Sequence, residues 1–220
     1  MISNEGVRLG AEAARRLART GLYEFEPGLT DPEFTRIERE YGFEFADDHR
    51  AFLAAGLPVN VPPEDGQTWS RPWPEWRGGD LDSLRRQLDW PVEGVLLGVE
   101  HNGFWYEGWG ERPADGTAAL ATARHHLAEA PVLVPVYAHR YLPAGRGSFG
   151  HPVLSMWQTD IIYYGLDLAD YMHREFDETR SEADDGWSPR ATAPFWRDLL
   201  QPFLFQADGF ANSPWSEGGK

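Results

Sequence analysis

The side chains of this 220-residue chain that could perform acid–base or metal chemistry are seven histidines, several carboxylates and two serines near a glycine-rich segment. Cysteine is absent, which removes disulfides, thiolate nucleophiles and cysteine metal sites together. The histidines are His49, His101, His125, His126, His139, His151 and His173, and none belongs to a His-Glu-x-x-His pair. His125 and His126 are adjacent on a helical stretch, so they point in different directions and gain nothing as metal ligands. His139, His151 and Asp160 fall on three consecutive expected strands and could converge as an acid–base or metal cluster. The competing reading makes His139, Arg140, His151 and Asp160 a structural polar network, because an inward-pointing Asp160 must be paired, with Arg140 or His139 as partner.

Gly145-Arg146-Gly147-Ser148-Phe149-Gly150 spells G-x-G-x-x-G, yet a dinucleotide site needs that loop between a strand and a helix, and here a strand follows. A kinase-type glycine loop does sit between strands, but no His-Arg-Asp or Asp-Phe-Gly follows downstream. The loop therefore reads as a hairpin connection. Ser148 and Ser155 lack a nucleophile-elbow context, and Glu100, Glu107 and Glu111 read as an exposed acidic edge. Neither a cofactor nor a metal is expected from these patterns.

The elements that must hold these residues begin with an amphipathic helix carrying Ala11, Ala14, Leu17, Ala18 and Leu22, with Gly21 at its C-cap. Thr30 and Glu33 form a capping-box pair around Pro32, opening a helix with Phe34, Ile37 and Tyr41 on one face and Gly42 at its end. Asp47-Asp48 suits the start of the next helix, which carries Phe52 and Leu53 and stops at Gly56. Leu57 to Gly79, rich in proline and tryptophan, predicts an extended loop pinned by aromatic packing, and Asp80 caps a short helix with Leu81, Leu84 and Leu88. Gly94 to Val99 predicts a buried strand, turned by Asn102-Gly103 into an antiparallel return at Phe104-Trp105-Tyr106. Thr117 to Glu129 predicts a helix, Val132 to Tyr141 one strand, and the segments 152–157 and 160–164 two more. Asp167 caps a helix carrying Leu168, Tyr171, Met172 and Phe176. These elements make an α+β fold with an antiparallel sheet of five or six strands flanked by helices, forming one domain over residues 1–176. Residues 177–220 read as an acidic linker and a short helix, from Phe195 to Phe205, that docks on the same domain.

The segment from Leu29-Thr30 through Gly56-Leu57-Pro58, followed by Trp73-Pro74-Glu75-Trp76-Arg77, resembles the SUKH superfamily. Gly103-Phe104-Trp105, the run Pro135 to Pro143 and the run Gln158 to Gly165 resemble blocks of its actinobacterial branch, so the likeness spans about residues 29–176. Ala138 and His151 depart from the pattern, standing where glycine and asparagine are expected. The resemblance implies an α+β fold and a non-enzymatic role, with bacterial members acting as immunity proteins that neutralise toxins and eukaryotic ones regulating cell-wall synthesis through protein contacts. It carries over no catalytic residue.

With a net charge of −15 and Lys220 as the only lysine, the chain repels phosphate backbones, which argues against nucleic-acid partners and favours a basic protein. The longest apolar runs are far shorter than the ~20 residues of a membrane-spanning helix, and Met1 to Gly6 lacks a secretory signal pattern, so a cytoplasmic protein is expected. Tryptophan and arginine dominate interface hot spots. The candidate partner surface is accordingly Trp73, Trp76 and Arg77 with His101, Trp105, Glu107 and Trp109. The leading expectation is a partner-binding immunity protein meeting a basic toxin domain; a small-molecule-binding protein or hydrolase centred on His139, His151 and Asp160, or a regulatory scaffold, are the alternatives.

Overall fold

Several helix ends in this chain are fixed by short-range capping chemistry. In the structure, a computed structural model that describes residues 2–60, 72–176 and 193–200, α1 runs over Asn4–Thr20 with the Ser3 hydroxyl accepting from Glu5 N at 3.2 Å. Gly21 closes it at φ +66°, a left-handed conformation that costs glycine little. α2 (Asp31–Tyr41) begins at the expected capping box, where the Glu33 carboxylate accepts from both Thr30 N and Thr30 Oγ1 at 2.7 Å, and ends at Gly42. α3 (Asp47–Ala55) follows with no side-chain cap at Ala46, the expected capping carboxylates of Asp47 and Asp48 bonding to distant donors instead. Two short strands, β1 (Phe25–Glu26) and β2 (Leu57–Pro58), pair antiparallel beside it.

The expected strand over Gly94 to Val99 does not exist. That stretch is the C-terminal half of α4 (Leu81–His101), which starts at Asp80 as expected but continues for 21 residues. Asn102-Gly103 is the end of this helix rather than a hairpin turn, and Phe104-Trp105-Tyr106 leads into a 3₁₀ turn at Glu107–Trp109. Val95, Leu96 and Val99 are buried at helical spacing. Gly94 and Gly98, one turn apart, bring the helix backbone against the Gln158-Thr159 turn: a Cβ on Gly94 would lie 2.9 Å from Gln158 Cα, and one on Gly98 2.4 Å from Thr159 Cγ2. Pro91 lies inside the helix, where it removes the N–H that the carbonyl of residue 87 would receive. The Tyr141 hydroxyl donates to that Gln87 carbonyl at 2.9 Å, so a buried side chain from the sheet supplies the missing bond.

α5 (Gly116–Leu127) packs beside α4 and precedes a four-stranded antiparallel meander of β3 (Leu133–Tyr137), β4 (Arg140–Pro143), β5 (Val153–Trp157) and β6 (Asp160–Gly165). The run from Val132 to Tyr141, expected as one strand, is a tight hairpin whose turn is Ala138-His139. The expected single sheet of five or six strands is thus a four-stranded sheet and a separate two-stranded one. α6 (Leu168–Phe176) begins where Asp167 Oδ1 accepts from Asp170 N at 2.9 Å, and α7 (Pro194–Asp198) docks through the Trp196 indole N–H, which donates to Pro131 O at 2.6 Å. The linker expected over 177–192, and residues 201–205 of the expected last helix, lie outside the described residues.

The pleat sorts the sheet side chains onto two faces. Val134, Val136, Leu142 and Val153 join the apolar cluster of α1, α2, α3 and α6, while Leu133, Tyr141, Leu154, Met156 and Ile161 join that of α4, α5 and α7. The sheet is therefore the middle layer between two helical layers, an α+β arrangement.

The Tyr141–Gln87–Pro91 relationship is open to a double-mutant cycle. Tyr141→Phe is expected to cost about 1–2 kcal/mol in denaturant unfolding, because the Gln87 carbonyl is left bare. In a Pro91→Ala background, where an N–H returns to the helix, the same change is expected to cost well under half as much.

Candidate functional site

The glycine-rich loop between β4 and β5 has the backbone donors of an anion cradle, and the structure shows which anions use them. Gly147 N donates to Asp47 Oδ1 at 3.0 Å and Gly150 N to Asp48 Oδ2 at 2.8 Å. Ser3 N, at the start of α1, donates to the other Asp47 oxygen at 2.6 Å, and Asp48 Oδ1 accepts from His49 N at 2.9 Å. Arg146, at the loop tip, reaches Glu38 at 2.7 Å and Glu44 at 2.9 Å. The loop's anion-binding capacity is consumed inside the fold, which accounts for the G-x-G-x-x-G spelling without a nucleotide. Asp47 and Asp48 are fully buried and His49 is 1% exposed. Burial pushes the Asp48 carboxyl up to about 6 against the pull of its backbone donors, and burial alone pushes the His49 imidazole down to about 3.

The proposed meeting of His139, His151 and Asp160 does not occur. His139 occupies the β3–β4 turn and its carbonyl accepts from Met156 N, whereas His151 precedes β5 at the other end of the sheet. Five residue steps of chain separate His151 from Met156, about 17 Å at the rise of an extended strand. Asp160 is exposed at the start of β6, so the expectation that it be paired inside with Arg140 or His139 does not apply. Burial lowers the basicity of both imidazoles, His139 to about 4 with help from nearby Arg140.

Arg140 does centre a buried polar network, with different partners. Its Nη1 donates to Ser155 Oγ at 3.0 Å, its guanidinium lies 3.7 Å over the Tyr164 ring, and its Nε stands 3.7 Å from Glu175 Oε2. Burial raises the Glu175 carboxyl while Arg140 opposes the rise. Arg140, the cation of this network, is thus met by both a ring and a carboxylate, an arrangement suited to bracing the sheet.

Of the partner-surface candidates, Trp73 and Trp76 are 2% exposed and Trp109 7% exposed, so these three indoles are core. Trp73 stacks on Phe176 at 5.6 Å, Trp76 meets Phe45 at 5.2 Å, and Trp109 lies parallel to His126 at 5.8 Å. Their size supplies the physical reason, since an aromatic ring gains most by full burial. Arg77 is partly exposed but engaged: it reaches Glu33 at 2.6 Å, Glu26 at 3.1 Å and Gly28 O at 3.0 Å, and holds Glu33 down to about 2. His101 and Glu107 are exposed, and Trp105 is half-buried with its indole N–H on Gly110 O at 2.7 Å.

Sequence reasoning passed over Trp157, which is 46% exposed, the largest exposed ring among the described residues. It ends β5 at a two-residue turn, beside Trp90 at 5.8 Å and His139 at 5.9 Å. The signal available was position: a tryptophan at the last residue of a strand, before a polar Gln-Thr turn, has no following pleat to cover it.

The two perturbed groups at the start of α3 act on stability in opposite senses. Asp48, raised above the ordinary carboxylate range, contributes stability that is present below about pH 4 and lost as pH rises through about 6; His49, depressed, contributes stability present above about pH 6.5 and lost on acidification. Between pH 7.5 and 5 the His49→Phe protein is expected to gain about 2 kcal/mol relative to the parent, and Asp48→Asn to lose about 1 kcal/mol, read from denaturant midpoints at the two pH values. Movement of both variants in the same direction would contradict the assignment. Compared with protein-family models, with curated proteins and with solved structures, the chain matches none.

Proposed function

We propose that this chain is a non-enzymatic, protein-binding module, a SUKH-type immunity protein that neutralises a basic toxin domain in the cytoplasm. The observation that carries the reading is how charge is disposed. The chain bears a net −15, and several of its arginines are held by carboxylates of the same chain, Arg50 with Asp31, Arg77 with Glu33 and Glu26, Arg146 with Glu38 and Glu44, Arg174 with Asp170, while Arg19, Arg39 and Arg124 are exposed. Cations already held by carboxylates offer little to a nucleic acid, while the surplus acidic groups, Glu93, Glu100, Glu107 and Glu111 among them, are exposed. Such a surface speeds encounter with a basic partner and is screened by salt.

The α+β layering with an antiparallel sheet between helices is in keeping with what the SUKH resemblance implies. The separation of His139 from His151 along β5 removes the geometric basis for a catalytic centre at His139, His151 and Asp160. A regulatory scaffold would use the same surface chemistry and would differ in what its partner does.

The test is the association rate with the basic domain captured by this chain, followed by stopped flow. Raising ionic strength from about 20 to 300 mM shortens the Debye length severalfold and is expected to slow association at least tenfold with little change in dissociation. An association rate indifferent to salt, or a captured partner that is acidic, would overturn the proposal.

A further inference from the structure

Two residues other than glycine have positive φ among the described residues, Ala138 at +47° and Gln158 at +55°. Both open two-residue hairpin turns, β3–β4 and β5–β6, and Met156 N, near the end of β5, donates to His139 O in the first of them. This backbone favours glycine at the first turn position, so the side chains there are held against a steric penalty. Strain of this kind gathers where a surface must be held in one shape.

The neighbours that hold it are visible. Ala138 N donates to Pro72 O at 2.6 Å, Asn102 Nδ2 donates to Gln158 Oε1 at 3.2 Å, and the backbone of α4 abuts the turn at Gly94 and Gly98. The Trp90 indole N–H donates to Met156 O at 3.2 Å. Between the two turns stands Trp157, its ring edged by His139 and Trp90. Its directly opposed residue across the hairpin is Asp160, so the indole and the carboxylate project from the same face. Among the described residues no ion pair or hydrogen bond engages that exposed carboxylate.

On α4, Trp90, Gly94, Leu97 and His101 recur at the spacing of one helix face, and Leu97 is 39% exposed there. Exposed Glu93 and Glu100 border that face. The result is an apolar, aromatic centre with a carboxylate edge. His139, which burial keeps neutral at physiological pH, places no opposing charge beside it.

We infer that this end of the sheet, centred on Trp157 and Asp160, is the docking surface for an arginine-bearing segment of a protein partner. The guanidinium lies over the indole while Asp160 accepts its N–H groups, and the aliphatic stem covers Leu97 and Trp90. This assignment rests on the proposed partner-binding function and locates it.

The probe is a six-arginine peptide, titrated at low salt into the full chain while the indole N–H resonances are followed by NMR. The Trp157 resonance is expected to shift first and furthest, Trp157→Ala to weaken binding about tenfold and Asp160→Asn about threefold. Asp82→Asn, which removes an exposed charge at the far end of α4, is expected to change affinity less than about 1.5-fold. Asp160 is solvent-exposed, so its substitution does not depend on refolding the turn. Equal losses from Asp160→Asn and Asp82→Asn, with shifts spread over many resonances, would overturn this surface while leaving charge-steered binding in place. No binding at any salt would overturn both.

Discussion

Three separate segments of this fold meet at two buried carboxylates. Asp47 and Asp48 draw together the first residue before α1, the start of α3 and the loop joining β4 to β5, through Ser3 N, His49 N, Gly147 N and Gly150 N. Removing two ionisable groups from water is costly, and only a full set of donors makes it tolerable. Charge-assisted bonds of this sort contribute ~1.5–3 kcal/mol each, against the several kcal/mol required to bury an isolated carboxylate. The accounting is tight, and the raised Asp48 carboxyl records that burial outweighs the donors at that residue. Asp47 N also donates to Ser148 O at 2.8 Å, so the loop is held from both directions.

The carboxylate joint dictates the glycines of α1. With Gly6 and Gly10 one turn apart, the helix backbone comes down on α3; a Cβ at Gly6 would fall 2.6 Å from Asp47 Cβ and one at Gly10 2.1 Å from Asp48 O. The same spacing recurs at Gly94 and Gly98 on the other side of the sheet, where the close neighbour is a turn instead of a helix. A glycine inside a helix costs ~0.5–1 kcal/mol relative to alanine. Four of them therefore cost ~2–4 kcal/mol, which close packing and the polar bonds it permits must offset. One pair seats α1 on α3 at the carboxylate joint and the other seats α4 on the Gln158-Thr159 turn of the sheet, so both helices make their close approach at their bare positions.

What the sequence disclosed and what it concealed divide along the range of the interactions. Caps at Gly21, Thr30–Glu33, Gly42, Asp80 and Asp167 were legible because each is settled within four residues. α4 was not: an apolar run between glycines, followed by Asn-Gly, carries a strand-and-turn pattern, and periodicity alone cannot separate that from a buried helix. Its helical state depends on partners distant in the chain, Tyr141 at the Gln87 carbonyl and the β5–β6 turn under Gly94 and Gly98. The β3–β4 hairpin was hidden because its turn, Ala138-His139, contains no turn residue. At the candidate site, tryptophan marked aromatic weight without marking exposure, so Trp73, Trp76 and Trp109 went to the core while Trp157 reached solvent.

Ala138 is where the structural and functional arguments touch. Its backbone, at φ +47°, lies in the left-handed region that favours glycine, yet an alanine stands there. A left-handed conformation costs a residue with a Cβ ~1–2 kcal/mol, and Gln158 carries the same cost on the neighbouring turn. Together that is ~2–4 kcal/mol held in two turns, a substantial share of the 5–15 kcal/mol by which domains are stable. The return is stiffness, since Asn102, Pro72 and the bare backbone of α4 clamp both turns and the Trp157 ring between them. A ring held by its neighbours would lose less freedom on being covered, so under the docking proposed for this surface the saving would be realised in binding rather than in folding.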